Sequence, residues 1–150
     1  MSIQTTTHLN FLGDARLALE FYQSVFGGHI VINTYADFGM PPELPGADKV
    51  VFGLVVAENG FRVMGYDIPG RSEGSIAGGG SARRENNTTV TDQALFVSVA
   101  CDSLNELHGL WDGLAADAVV LEPLAASAWS AGFGMLTDRF GVTWSFTVAA

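Results

Sequence analysis

Three histidines, one cysteine and sixteen carboxylates are the side chains of this chain that could bind a metal, attack an electrophile or carry a proton. His8 lies in a Thr-rich, β-prone run, where an imidazole nitrogen could ligate a divalent ion or orient a bound molecule. His29 falls just after one helix-like segment and His108 within another, so both read as surface residues. Cys101 sits where a strand gives way to a helix, and a helix N-terminus can lower a thiol pKa. No His or Arg adjoins it in sequence, so it reads as a structural thiol, and a single cysteine forms no internal disulfide. Gly70-Arg71-Ser72-Glu73-Gly74 matches the nucleophile-elbow pattern, but Pro69 precedes it and a glycine-rich stretch follows, where the motif needs a strand and a helix. Gly78-Gly79-Gly80 has no following Lys-Ser and opens no helix, so it is not a phosphate cradle. Asn86-Asn87-Thr88-Thr89 holds glycosylation sequons that matter only in a secreted chain. Arg71, Arg83 and Arg84 are three of only seven cations and read as solvated, unless their segment folds over a cavity and meets an anion.

The elements that must position these groups follow from periodicity. Gln4–Leu12 reads as a strand ending at Gly13-Asp14. Ala18, Phe21, Tyr22 and Val25 then recur at helical spacing, and Gly27-Gly28 stops the helix. His29–Tyr35, Val50–Ala57 and Phe61–Tyr66 are β-rich, the last two joined by Glu58-Asn59-Gly60, a hairpin signal. Ala94–Ala100 is β-rich again. Ser103 and Glu106 are spaced as a capping box before a stripe of Leu104, Leu107, Trp111 and Leu114. Val119–Leu121, Gly134–Thr137 and Val142–Val148 are strand-prone, with a turn at Asp138–Gly141. A shift of 89 positions lays Phe21 on Leu110, Tyr22 on Trp111, Val25 on Leu114, Ile30 on Val119 and Ile32 on Leu121. The chain therefore reads as α+β, with a βαβββ module at 1–67, a flexible Gly-rich linker at 68–92 and a second βαβββ module at 93–150. One such module buries one sheet face, so two modules, paired within a chain or across a homodimer, form a concave sheet able to hold a small ligand.

Composition bounds the partners. Of 150 residues, 48% are hydrophobic and 15% charged, which excludes global disorder. Seven basic against sixteen acidic residues give a charge of −9, and no basic stripe offsets it, so nucleic acid and anionic membrane are not expected partners. The start of the chain has no leader pattern and no stretch reaches membrane-span length, so a cytoplasmic location is expected.

Gly13–Gly28, GDARLALEFYQSVFGG, resembles the first-helix signature of the vicinal oxygen chelate superfamily, which includes glyoxalases, bleomycin-resistance proteins and extradiol dioxygenases. Trp129–Phe146, WSAGFGMLTDRFGVTWSF, is similar more narrowly to the PhnB-like, or 3-demethylubiquinone methyltransferase-like, branch, and Cys101–Ala115 fits the same branch. The resemblance implies paired βαβββ modules and a homodimer. Its metal-dependent members place one ligand, His or Glu, on each of four strands. Matched onto this chain, those positions are His8, Met64, Phe96 and Ser145, of which only His8 is a firm ligand. No metal site and no cofactor are therefore expected.

What remains is a cavity of mostly neutral side chains. Met64, Phe96 and Ser145 face inward, with Trp129 and Phe133 nearby, and aromatic rings can stack on a flat ligand. Asn10, Tyr66 and Ser98 follow His8, Met64 and Phe96 by two and share their face, whereas Trp144 turns to the helix side. The expected function is binding of a small molecule in this cavity. Two alternatives stand beside it: a metal-dependent glyoxalase-like lyase or dioxygenase drawing a carboxylate from Asp67 or Glu122, and sequestration of a cationic antibiotic. Methyl transfer is not expected, because the chain lacks the Gly-rich strand-to-helix turn of a doubly wound nucleotide fold.

Overall fold

The computed structural model describes residues 1–71 and 79–149. The chain divides into two units, residues 1–77 and 78–150. No helix among the described residues is long and apolar enough to cross a membrane.

The first unit contains β1 (Thr7–Phe11), α1 (Ala15–Phe26), β2 (His29–Thr34), β3 (Val50–Val56) and β4 (Arg62–Asp67). Its sheet runs β1-β4-β3-β2, with β1 parallel to β4 and the other neighbours antiparallel. Ala15, Ala18, Leu19, Tyr22 and Phe26 of α1 are buried. The stripe is rotated from the expected one: Leu19 and Phe26 point inward, and Phe21 and Val25 are only half-buried. Leu19 decides the rotation, because its side chain sits over Gly53 and Gly65, which face each other across β3 and β4. A Cβ on Gly53 would lie 2.3 Å from Leu19 Cδ1 and 2.8 Å from the Gly65 carbonyl oxygen, so glycine lets helix and sheet approach. Gly27 ends the helix at φ +81° and donates its N–H to Gln23 O. The Asn-Gly hairpin forms as expected, with Gly60 at φ +101° and its N–H on Ala57 O.

The start of α1 is held from a distance. Asp14 occupies the N-cap position but makes no side-chain cap bond. Asp67, at the end of β4 and buried, accepts instead from Gly13 N (2.8 Å) and Ala15 N (3.0 Å) through Oδ1, and from Val50 N (2.9 Å) through Oδ2. One carboxylate thus ties the helix entry, the last strand and the first residue of β3 together.

The second unit contains β5 (Ala82–Glu85), β6 (Thr88–Thr91), β7 (Val97–Cys101), α2 (Leu104–Ala115), β8 (Val119–Ala125), β9 (Phe133–Thr137) and β10 (Thr143–Val148). Its main sheet runs β7-β10-β9-β8, with β7 parallel to β10, and so repeats the first sheet strand for strand. α1 and α2 are both twelve residues long and stand 89 positions apart. Ser103 Oγ accepts the Glu106 N–H at 3.3 Å, as a capping box requires. Leu107, Trp111 and Leu114 are buried, while Leu104 is exposed. Trp111 lies over Gly134, where a Cβ would come within 2.8 Å of the indole. Trp144 points to the helix side, fully buried, and its Nε1–H donates to Asp138 Oδ2 at 2.9 Å. The same Asp138 carboxylate accepts the N–H groups of Phe140 and Val142 and shapes the β9–β10 turn.

Residues 82–91 correct the expectation of a flexible linker. They form an antiparallel hairpin, with Glu85 opposite Thr88 and a two-residue turn at Asn86-Asn87. Both asparagines have positive φ, 52° and 60°, the conformation a type I′ turn needs and one that asparagine tolerates. Asp92 closes the open end by accepting the Ser81 N–H at 2.6 Å. The Ser72–Gly74 part of the elbow pattern and Gly78 of the triple glycine lie outside the described residues.

Asp67→Asn should destabilise the protein by about 2 kcal/mol, because an amide in place of one oxygen turns a donor toward a buried backbone N–H. Asp14→Ala should cost less than about 0.5 kcal/mol. Urea unfolding of the two variants reads the contrast.

Candidate functional site

Each sheet turns one face to its helix and the other away. On the first sheet the face away from α1 carries His8 and Asn10 from β1 beside Met64 and Tyr66 from β4, because His8 pairs with Met64 and Asn10 with Tyr66. Both β1 residues are exposed, and both β4 residues are half-buried. His8 Nδ1 lies 3.2 Å from Asn10 Oδ1, and its ring meets Tyr66 edge-on at 5.2 Å between centroids. The four residues expected on this face are therefore adjacent. Together they offer an imidazole, an amide, a thioether and a phenol to anything lying on the sheet. Leu54, opposite Met64 on β3, extends the surface as apolar floor, and the alternation of β3 alone could have disclosed it.

The second sheet repeats the pairing but not the chemistry. Ser98 pairs with Ser145, and their hydroxyl oxygens are 2.7 Å apart. This corrects the fifth-strand position. Phe96 precedes β7 and is 39% exposed, and the residue that stands to Ser145 as His8 stands to Met64 is Ser98. Phe133 opens β9 on the same face, whereas Trp129 lies in the loop before it, 63% exposed, with its ring 4.9 Å from that of Phe133.

The hairpin adds what composition did not disclose. Arg84 is not solvated: only 13% of its side chain is exposed, and its guanidinium stands 4.8 Å from the Phe133 ring centroid. Its Nη1 donates to Thr89 Oγ1 at 3.1 Å, and its Nε lies 3.6 Å from Glu122 Oε1 on β8, an ion pair without a hydrogen bond. Thr89 Oγ1 in turn approaches Met135 Sδ at 3.0 Å, and Met135 is buried on the sheet face that pairs with Ser145. The chain's own hairpin thus covers part of the second sheet's free face, and the carboxylate of Glu122 is engaged there. Arg83, by contrast, is exposed and pairs with Glu85 at 2.8 Å.

The donor set does not fit a metal of the kind the superfamily uses. The four corresponding positions carry one imidazole, one thioether and two hydroxyls that bond each other. Asp67 cannot supply a carboxylate, since its oxygens are spent on three backbone N–H groups on the helix side. Among the described residues no group of three or more His, Cys, Asp or Glu side chains is gathered to hold an ion. His29 and His108 are exposed and lie elsewhere. Cys101 is buried at the end of β7, and burial first, then Glu106 and Asp102, push its thiol pKa up.

Two expected outcomes follow. In the folded protein the Cys101 thiol holds its proton more tightly than in the unfolded chain. Its contribution to stability is thus complete below the ordinary value of 9.0 and is lost as pH rises above it. Thiol labelling at pH 8 should correspondingly be slower in the folded protein than in the urea-unfolded chain, because less of the thiol is ionised. Arg84→Ala should speed amide exchange in β5 and β6 about fivefold while leaving α2 and β10 protected, because the hairpin loses its anchor and the sheet does not.

Comparison with known proteins agrees with this architecture. The family described as 3-demethylubiquinone-9 3-methyltransferase matches residues 3–147. Protein PA1353 from Pseudomonas aeruginosa is 28% identical with a TM-score of 0.77, over 98% of both chains. The PhnB protein from Bacillus cereus is 27% identical with a TM-score of 0.68, over 98% of this chain and all of the other. A glyoxylase/bleomycin resistance protein/dioxygenase domain from Frankia sp. EAN1pec shares the fold at 14% identity, with a TM-score of 0.61 over 100% of this chain and 99% of that one. With its two βαβββ units and a family match along nearly its whole length, the chain belongs to the family described as 3-demethylubiquinone-9 3-methyltransferase, and it shares its fold with the glyoxylase/bleomycin resistance protein/dioxygenase domain.

Proposed function

We propose that the protein binds a small organic molecule on the free face of its first sheet, without a metal of the superfamily type. The observation that carries this reading is the grouping of His8, Asn10, Met64 and Tyr66 on one face, with apolar, aromatic and hydrogen-bonding character within a few ångströms. Such a mixture suits a flat, partly polar ligand: Tyr66 and Met64 supply contact area, and His8 and Asn10 fix orientation. Ser98, Phe133 and Ser145 form the corresponding surface of the second unit, where Arg84 sits over Phe133 and leaves less of the sheet free. Phe96 and Trp129 contribute exposed aromatic surface beside that sheet.

Methyl transfer, which the family's description names, finds no support in the architecture. Neither sheet is doubly wound, and no Gly-rich turn leads from a strand into α1 or α2 to cradle a nucleotide-type methyl donor. The reading also includes a homodimer, which the family resemblance implies. Sedimentation should then give twice the chain mass of 15.9 kDa.

Native mass spectrometry against a panel of metabolites and antibiotics should reveal a bound species that His8→Ala and Tyr66→Ala each weaken about tenfold. Elemental analysis of the same preparation should give metal well below one equivalent. Stoichiometric metal that disappears in His8→Ala, or a panel with no bound member, overturns the reading.

A further inference from the structure

The connection between β2 and β3, residues 35–49, is long for a loop inside a small module, and loops of this length are often functional. Its counterpart between β8 and β9 spans only residues 126–132. The longer loop is not slack. Tyr35 N–H donates to Lys49 O (3.0 Å), Ala36 N–H to Ala47 O (2.8 Å) and Met40 N–H to Tyr35 O (3.0 Å). The Tyr35 hydroxyl donates to Asp67 O at 2.6 Å, which pins the loop to the end of β4. Asp67, Ala47 and Val50 are buried at its base. The loop is thus preformed, and with the turn at 68–71 it walls a small, solvent-open pocket of about 70 Å³.

The lining combines two cations with an apolar wall. Lys49 and Arg71 are two of the seven cations in a chain of charge −9, and they share this pocket with Met40, Pro45 and Ile68. Lys49 Nζ makes one long bond, 3.4 Å, to Gly13 O, and neither cation is in an ion pair among the described residues. The acidic residues of the same loop, Asp37, Glu43 and Asp48, are exposed and do not line the pocket. The Asp67 carboxylate at the base of the loop is already taken up by three backbone N–H groups, and beyond about 8 Å salt screens the remaining negative charge, so Lys49 and Arg71 are the charges that line the pocket.

We propose that this pocket binds a small oxyanion, a carboxylate or phosphate carried on a compact apolar body, with Lys49 and Arg71 supplying the opposite charge. The pocket shares no lining residue with the His8–Tyr66 face, so the site stands or falls independently of the function proposed above.

Titration of the 15N-labelled protein with inorganic phosphate and, separately, with butyrate tests it by amide shifts at Gly46, Lys49 and Gly70. The expected result is saturable shifts confined to these residues, weakened about fivefold or more by Arg71→Gln and by Lys49→Gln, and weakened by added chloride. Phosphate alone saturating assigns the site to phosphate, and butyrate alone assigns it to carboxylates. Arg71 is exposed and makes no side-chain hydrogen bond among the described residues, so its substitution tests the site even should Lys49→Gln fail to fold. His8→Ala should leave the shifts unchanged. Linear shifts with both anions, or shifts insensitive to both substitutions, overturn the proposal.

Discussion

A four-stranded sheet has two faces, and in each unit one helix can bury only one of them. That constraint organises the molecule. α1 comes close to its sheet because Leu19 seats over Gly53 and Gly65, and α2 because Trp111 seats over Gly134. Close seating removes much apolar surface from water on the helix side. It also leaves the opposite face as the part of each unit whose residues are not determined by the core. His8, Asn10, Met64 and Tyr66 are found there in the first unit, and Ser98, Phe133 and Ser145 in the second.

The two units answer the same constraint differently. The first leaves its free face to half-buried and exposed side chains. The second lays a hairpin across part of its own, anchored where Arg84 stacks on Phe133 and faces Glu122. A guanidinium tolerates this place because its flat surface can rest on an aromatic ring while its edge keeps polar partners. Repetition of the fold therefore does not make two equivalent free faces. The long β2–β3 loop adds a second asymmetry, since only the first unit has length enough there to build a cationic pocket.

Much of the architecture was legible from local signals. Ser103 and Glu106 announced α2, Asn59-Gly60 announced the β3–β4 turn, and strand alternation turned Trp144 toward the helix. The buried helix stripe differs from the periodic one because Phe21 and Val25 are as apolar as Leu19 and Phe26; only the two glycines beneath Leu19 decide between them. Phe96 follows from matching the resemblance along the sequence, whereas the position is defined by which residue faces Ser145 across the ladder. The hairpin was hidden because Arg, Glu, Asn and Thr look like solvent-loving linker, yet Asn86-Asn87 between two four-residue runs is a turn signal in its own right. Asp67 could not be foreseen as the holder of α1, because its partners lie more than fifty residues before it and at the start of β3.

The parallel pairing of β1 with β4 and of β7 with β10 bears on how the protein is made. In each four-stranded sheet the first strand to leave the ribosome finds its neighbour only when the last has emerged. Until then β1 and β7 have no ladder partner on either side and are open to aggregation. The amino-terminal half closes its sheet at Asp67, before β5 to β10 have been translated. During synthesis β1 and β7 therefore each wait for half a chain rather than the whole before gaining a partner, and afterwards each still ends its sheet with one side open.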